Sequence, residues 1–169
     1  QGERVRAYLY RVEESPRGVF LRLSRSHPKF LEKLFEAEAP ELANGTVVIK
    51  AIAREAGYRS KIAALALDNH IDPVGALVGQ RGIRVSTVMS ELRGEKIDII
   101  EWSAEPKKFI EEALSPAKIL EIKINEEPAR PDARLNDVVV QDSGRSGGDK
   151  TAVVTVSEDQ QSLAIGKGG

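Results

Sequence analysis

The sequence predicts an α+β fold in which one order of elements is used twice behind a two-stranded opening. Two observations carry this. Gly-x-x-Gly occurs as Gly79-Gln80-Arg81-Gly82 and again as Gly166-Lys167-Gly168-Gly169, each time after a short apolar helical pattern. The order helix, strand, strand, helix, glycine loop also runs from Pro28 and begins afresh at Pro106, as a tandem duplication would.

The opening residues alternate as strands. Val5 to Val12 and Val19 to Leu23 flank Ser15-Pro16-Arg17-Gly18, which has the chemistry of a turn. Two strands alone make a marginal structure, so this piece is expected to be the end of a barrel. Tyr8 and Tyr10 share a parity here, which puts them either in a core or on a barrel surface. A helix follows: Ser26 or His27 caps it, Pro28 suits its first turn, and Phe30, Leu31, Leu34 and Phe35 make one stripe. Pro40 and Asn44-Gly45 stop it. Strands are expected at about 46–53 and 61–68, joined across Glu55-Ala56-Gly57-Tyr58. Pro73 opens a short helix, the glycine loop intervenes, and a helix from about Ile83 to Glu91 ends before Gly94. A last strand spans Ile97 to Trp102.

From Pro106, Phe109, Ile110, Ala113 and Leu114 repeat the spacing of the first stripe. Strands are expected at Ile119 to Asn125 and Thr151 to Ser157, and the stretch from Asp159 to Ile165 leads into the second loop. Between the strands, Glu126 to Lys150 is rich in Pro, Gly, Asp and Ser. Val138 to Val140 is a candidate strand within it, and Ser143 to Asp149 a candidate mobile tip.

Composition narrows the function. The 169 residues suffice for one large or two small domains, and 41% of them are hydrophobic. Net charge is −1 with 30% charged residues, so a uniformly basic nucleic-acid binder is excluded and any such surface is a local patch. There is no cysteine, hence no thiolate chemistry or cysteine-held zinc. No apolar run approaches the ~18 residues of a membrane span, and no signal peptide opens the chain. Both ends read as cuts through larger domains. His27 and His70 are the only histidines and lack metal-ligand spacing. Neither a Gly-x-Ser-x-Gly elbow nor a Gly-x-x-x-x-Gly-Lys-Ser/Thr loop is present. We therefore expect no catalytic residue, no metal and no cofactor. Aromatic residues are only 5%, too few for stacking platforms of the RRM type.

What remains is the loop. A glycine has no β-carbon, so its backbone can approach a phosphate closely, and the following helix aims N–H groups and the positive end of its dipole there. Arg81 and Arg84 add charge. A Gly-x-x-Gly between two helices is the device by which KH modules clamp a single-stranded backbone, while an apolar groove holds unstacked bases. Expected RNA-binding residues are Gly79, Gln80, Arg81, Gly82 and Arg84, and in the second copy Gly166, Lys167, Gly168 and Gly169. Arg59 and Lys61 extend the basic track. Val78, Ile83, Val85 and Ile99 are candidates for the groove walls, with core packing as the alternative.

The run Ile71-Asp72-Pro73-Val74-Gly75-Ala76, Val78 to Gly82 and Glu91 to Ile99 closely resembles the first KH domain of the NusA family of bacterial transcription factors. Gln161 to Lys167 resembles the start of its second, and Gly2 to Tyr10 the end of the OB-fold barrel that precedes them. The resemblance implies tandem prokaryotic (type II) KH modules: 1–26 as the last part of an RNA-binding OB barrel, 27–103 as the first KH domain with its leading helix, and 104–169 as a second, stopping at its loop. It also implies a cytoplasmic modulator of elongation, pausing, termination and antitermination. Its partners would be nascent single-stranded RNA, other antitermination factors, and RNA polymerase, the last held mainly by an N-terminal domain outside this sequence; no membrane is involved. Two alternatives stand beside it, the RNA-binding part of a polynucleotide phosphorylase-type exoribonuclease and a KH-containing ribosomal protein. In the first, the barrel follows a single KH domain; the duplicated loop argues against the second.

Overall fold

A computed structural model describes residue 2 and residues 4–126 and 150–166, in two compact units, 1–104 and 105–169. The proposed strand at Val138 to Val140 and the tip at Ser143 to Asp149 lie outside the described residues.

The first unit opens on a hairpin, β1 (Tyr8–Ser15) and β2 (Gly18–Ser24), paired antiparallel around Pro16-Arg17. Its register slips between Leu9 and Arg11, so Tyr10 is the extra residue of a bulge. Pairing sorts the side chains into two faces. Leu9, Val12, Val19, Leu21 and Leu23 share one, all of them exposed. The other carries Tyr8, Arg11, Glu13 and Arg22, where Glu13 bridges both arginines at 2.9 and 3.0 Å.

Helix α1 (Pro28–Glu38) is capped by His27, whose Nδ1 accepts from the Lys29 N–H at 3.1 Å, and Pro28 fills its first position. The stripe Phe30, Leu31, Leu34 and Phe35 is buried. At about 1.5–3 kcal/mol per large apolar side chain, that stripe outweighs any propensity term. Ala39 ends the helix. Pro40, expected only as a stop, also starts a single further turn, α2 (Pro40–Ala43).

Strands β3 (Val47–Glu55), β4 (Arg59–Ala66) and β5 (Lys96–Glu101) form one sheet in that order, β3 antiparallel and β5 parallel to β4. The parallel pair needs a crossover, supplied by α3 (Pro73–Val78) and α4 (Ile83–Glu91). Val47, Ile62 and Ala64 from the sheet meet the α1 stripe, Leu77, Val88 and Leu92 in one core. The strands run one or two residues beyond or short of the expected ends, because pairing rather than alternation sets where a strand stops.

One buried ion pair holds this unit. Glu95 and Arg54 are 1% and 2% exposed. The guanidinium meets both carboxylate oxygens, at 2.9 and 3.0 Å. Gly57 N–H (2.8 Å) and Ser60 Oγ also donate to Glu95, and Arg54 Nη1 donates to the His27 carbonyl at 2.9 Å. Burial by itself would raise the Glu95 carboxyl; the hydrogen bonds from Arg54, Ser60 and Gly57 outweigh it and hold the group below the usual carboxylate range. A second tie joins the hairpin to α4. Arg25 donates to the Glu91 carboxylate (3.0 Å), the Glu91 carbonyl (2.7 Å) and the Arg6 carbonyl, and lies 5.0 Å over the Phe30 ring.

The second unit holds α5 (Pro106–Leu114), the antiparallel pair β6 (Ile119–Glu126) and β7 (Lys150–Val156), and α6 (Gln161–Ile165). Its order matches α1, β3, β4 and α3. Both hairpins also carry a register slip near the start of their first strand, at Ile49/Ala51 and Ile119/Glu121.

Candidate nucleic-acid interface

Asp72 begins the site. Its carboxylate caps α3 by accepting from the Val74 N–H at 3.0 Å, and Pro73 occupies the first helical position. Gly79 ends α3 with its N–H on the Gly75 carbonyl at 2.9 Å. Its φ of 75° and ψ of 171° lie in a region essentially reserved for glycine. Gln80–Gly82 make one tight 3₁₀ turn, with Arg81 left-handed at φ 52°, ψ 26° and Gly82 at φ 77°. Helix α4 then starts with no side-chain cap and no acidic residue in its first turn. The Ile83 N–H is taken by the Gln80 carbonyl, but no side chain meets the donors or the dipole of this helix start, and the residues just before it, Gln80 and Arg81, are exposed.

Arg84, read from the sequence as further charge for a phosphate, is engaged elsewhere. Nη1 lies 2.9 Å from a Glu41 carboxylate oxygen and also donates to the Ala76 carbonyl, and the side chain is only 27% exposed. Its stem runs against Gly79, where a β-carbon would stand 2.6 Å from Arg84 Cγ. Arg59 and Lys61 are not brought to the loop either. Along β4, Ser60, Ile62 and Ala64 face the helices, so the alternating Arg59 and Lys61 belong to the opposite face of the sheet. Arg59 is exposed and paired with Asp98 at 2.7 Å; Lys61 is half-buried and opposite Asp98 in register. Among the candidate groove residues, Val85 and Ile99 pack on the core, Val78 is half-buried, and Ile83 is 66% exposed at the start of α4.

In the second unit Gly166 ends α6 as Gly79 ends α3. It has φ 75°, ψ −174°, and its N–H lies 3.1 Å from the Ser162 carbonyl four residues back. The two glycines differ by only 15° in ψ. Lys167, Gly168 and Gly169 lie outside the described residues.

One basic surface escaped sequence reading. Residues 4–25 contain Arg4, Arg6, Arg11, Arg17, Arg22 and Arg25 against Glu13 and Glu14, a balance of +4 that leaves −5 for the rest of a chain whose net charge is −1. On the charged face of this hairpin Tyr10 lies nearly parallel to His27, with an interplanar angle of 11° and centroids 6.3 Å apart, while Tyr8 meets the same imidazole at 5.1 Å. Charge summed in short windows would have exposed the patch; the Tyr10 bulge had no signal. Among the described residues no group of His, Asp and Glu could hold a metal ion, and no helix is long and apolar enough to cross a membrane.

Comparison with known proteins agrees with this architecture. Residues 25–102 match the family described as the NusA-like first KH domain, and 106–169 the NusA-like second KH domain. The transcription termination/antitermination proteins NusA of Halalkalibacterium halodurans and Thermus thermophilus are 44% and 45% identical to the chain over 99% of it. That of Bacillus subtilis is 42% identical, again over 99%. The chain spans 38%, 38% and 39% of the length of these relatives. A solved structure described as the crystal structure of APE1850 shares the fold, with a TM-score of 0.52 at 21% identity, covering 83% of this chain and 80% of the other.

Proposed function

The chain belongs to the NusA family through its two tandem KH domains, and from that premise we propose that it grips nascent single-stranded RNA to modulate elongation, pausing, termination and antitermination. The observation that carries the reading is the exposed Gln80-Arg81 pair, held between positive-φ glycines over the uncapped start of α4. Backbone donors, the helix dipole and one arginine meet there, and a phosphate satisfies all three. Gly166, with nearly the torsions of Gly79, gives the same strand a second contact, so that binding at one loop raises the effective concentration at the other. The arginine-rich hairpin supplies a third, electrostatic one. Its apolar face is read as the inner wall of an OB barrel, which leaves the Tyr10–His27 face outward.

In this reading the protein is not an enzyme, works in the cytoplasm, and meets RNA polymerase and other antitermination factors through the longer protein to which these domains belong. Relatives matching 99% of the chain carry termination/antitermination names, which disfavours the exoribonuclease and ribosomal alternatives.

The test is a binding series against single-stranded and duplex RNA of one length over a range of salt. Single strands should bind more tightly, with log affinity falling against log salt by about 0.7 per phosphate contact, for roughly two to four contacts. Equal or tighter duplex binding, or an affinity indifferent to salt, would sink the reading.

A further inference from the structure

We propose that Arg84 is a brace that holds the first glycine loop in its binding shape, anchored by Glu41, and is not a cation for phosphate. The inference rests on the clamp reading above and assigns the residues that shape the clamp.

One guanidinium nitrogen, Nη1, ties three elements together. It reaches the Glu41 carboxylate on α2 at 2.9 Å and donates to the Ala76 carbonyl in the last turn of α3, while its own backbone is the second residue of α4. Ala76 O is one of the carbonyls that the end of a helix leaves without a partner. Gly79 N–H takes the neighbouring Gly75 carbonyl and Arg84 takes this one, so together they close the C-terminus of α3 with positive charge on the favourable end of its dipole.

The stem of Arg84 does separate work. A β-carbon at Gly79 would stand 2.6 Å from its Cγ and 3.0 Å from its Cβ and Cδ. The space that any other residue would use at position 79 is thus filled by Arg84 methylenes, and the glycine backbone rests on them. The first glycine and Arg84 are one steric unit: the glycine is required by its torsions and again by the arginine stem that fills its side-chain space.

The charge is also already neutralised. Arg84 and Glu41 are 27% and 29% exposed and paired, so an approaching phosphate meets a closed ion pair. Two expectations follow that simple electrostatics reverses. Removing Glu41, a negative group beside an RNA site, should tighten RNA binding if charge alone mattered; as the anchor of a brace, its loss should weaken binding. Arg84→Lys retains the charge and should be harmless for a phosphate cation. Lysine's ammonium ends one bond short of the Nη1 position, so from a stem lying against Gly79 it falls short of the Glu41 carboxylate and the Ala76 carbonyl together, and for a brace the change should be nearly as harmful as Arg84→Gln.

The experiment compares the 169-residue chain with Glu41→Gln, Arg84→Lys, Arg84→Gln and, as a control, Arg81→Gln. Anisotropy of a labelled single-stranded RNA is followed over a salt series, alongside thermal melting and amide hydrogen exchange. Glu41→Gln and Arg84→Lys should each weaken binding by about three- to tenfold through loss of preorganisation, with the wild-type salt slope. Arg81→Gln should lower that slope by about 0.7. Exchange at the Gly79 and Gly82 amides, which donate to the Gly75 and Gly79 carbonyls, should quicken several-fold in Glu41→Gln while the rest of the unit stays protected. Tighter RNA binding by Glu41→Gln would overturn the brace. So would wild-type behaviour of Arg84→Lys together with a reduced slope in Arg84→Gln, or unchanged loop exchange in Glu41→Gln. Glu41 lies outside the core, so its variant decides even if an Arg84 variant melts early. If the wild-type chain shows no salt-dependent RNA binding, the clamp reading fails, and the exchange measurement still judges the brace.

Discussion

Replacing Gln80 and Arg81 together by aspartate tests the loop directly. Both side chains are exposed and neither belongs to the core. The left-handed backbone at Arg81 (φ 52°) suits aspartate at least as well as arginine. Acidic side chains at the start of α4, which has none, gain about 0.3–1 kcal/mol from its dipole. Stability should therefore hold or rise slightly. RNA binding should not. The double change moves the loop by three units of charge, from one positive to two negative. At about 5 Å in water each unit contributes roughly 0.8 kcal/mol against a phosphate, so three give about 2.5. Screening over a Debye length of about 8 Å roughly halves this, leaving about 1.3 kcal/mol, close to tenfold in affinity. This is a floor, since a lower local dielectric enlarges every part of it. Anisotropy with labelled single-stranded RNA reads the affinity, and circular dichroism with thermal melting reads the fold. A folded variant that binds as the parent does would show that phosphate is not held here.

Gly79→Ala combines about 1–3 kcal/mol of backbone strain with a similar overpacking cost against Arg84, so urea unfolding should show a loss of roughly 2–5 kcal/mol; a loss below about 0.5 would mean the loop is shaped differently. Gly166→Ala meets the same φ of 75° with nothing within 4 Å and should cost only the strain, about 1–3 kcal/mol. Glu95→Gln removes one partner of the buried pair and should cost about 3–5 kcal/mol. Because the folded carboxyl lies below its ordinary value, its contribution is complete above the unfolded pKa of about 4.3 and is lost as pH falls through that range and below. Parent and variant melting temperatures should accordingly converge on acidification, and a gap that widens there would refute the assignment.

Much of the first unit was readable because its signals are local. His27, Pro28 and the 30/31/34/35 stripe define α1 within a dozen residues, and Asp72-Pro73 with Gly79 brackets α3. The sequence could not show where Arg84 spends its charge, since Glu41 lies 43 residues away and only the tertiary fold brings the two side chains together. Nothing in Gly94-Glu95-Lys96 marks Glu95 as buried; its burial depends on Arg54, Gly57 and Ser60, 35 to 41 residues distant. Arg59 and Lys61 were expected to extend the basic track from the loop along the second strand. Strand parity, once the core face of β4 is known, sets them on the other side. Tyr8 and Tyr10 were expected to share a face by simple alternation; both do meet the His27 imidazole, but with a bulge at Tyr10 that the alternation does not show.

These corrections change how the chain should hold RNA. If Arg84 is closed off by Glu41, and Arg59 and Lys61 stand on the far face of the sheet, then Arg81 is the cation that the first clamp presents. Its grip then comes mainly from fixed backbone donors and the α4 dipole, which carry no mobile charge and respond weakly to salt. Counterion release needs full charges; residues 4–25 carry six arginines, of which Arg11 and Arg22 share Glu13 and Arg25 is tied to Glu91. On the proposed reading the arginines of residues 4–25 draw the strand in and add to the salt dependence, while the glycine loop fixes its register by shape. A chain with net charge −1 can serve a polyanion on these terms, because what the phosphate meets is local.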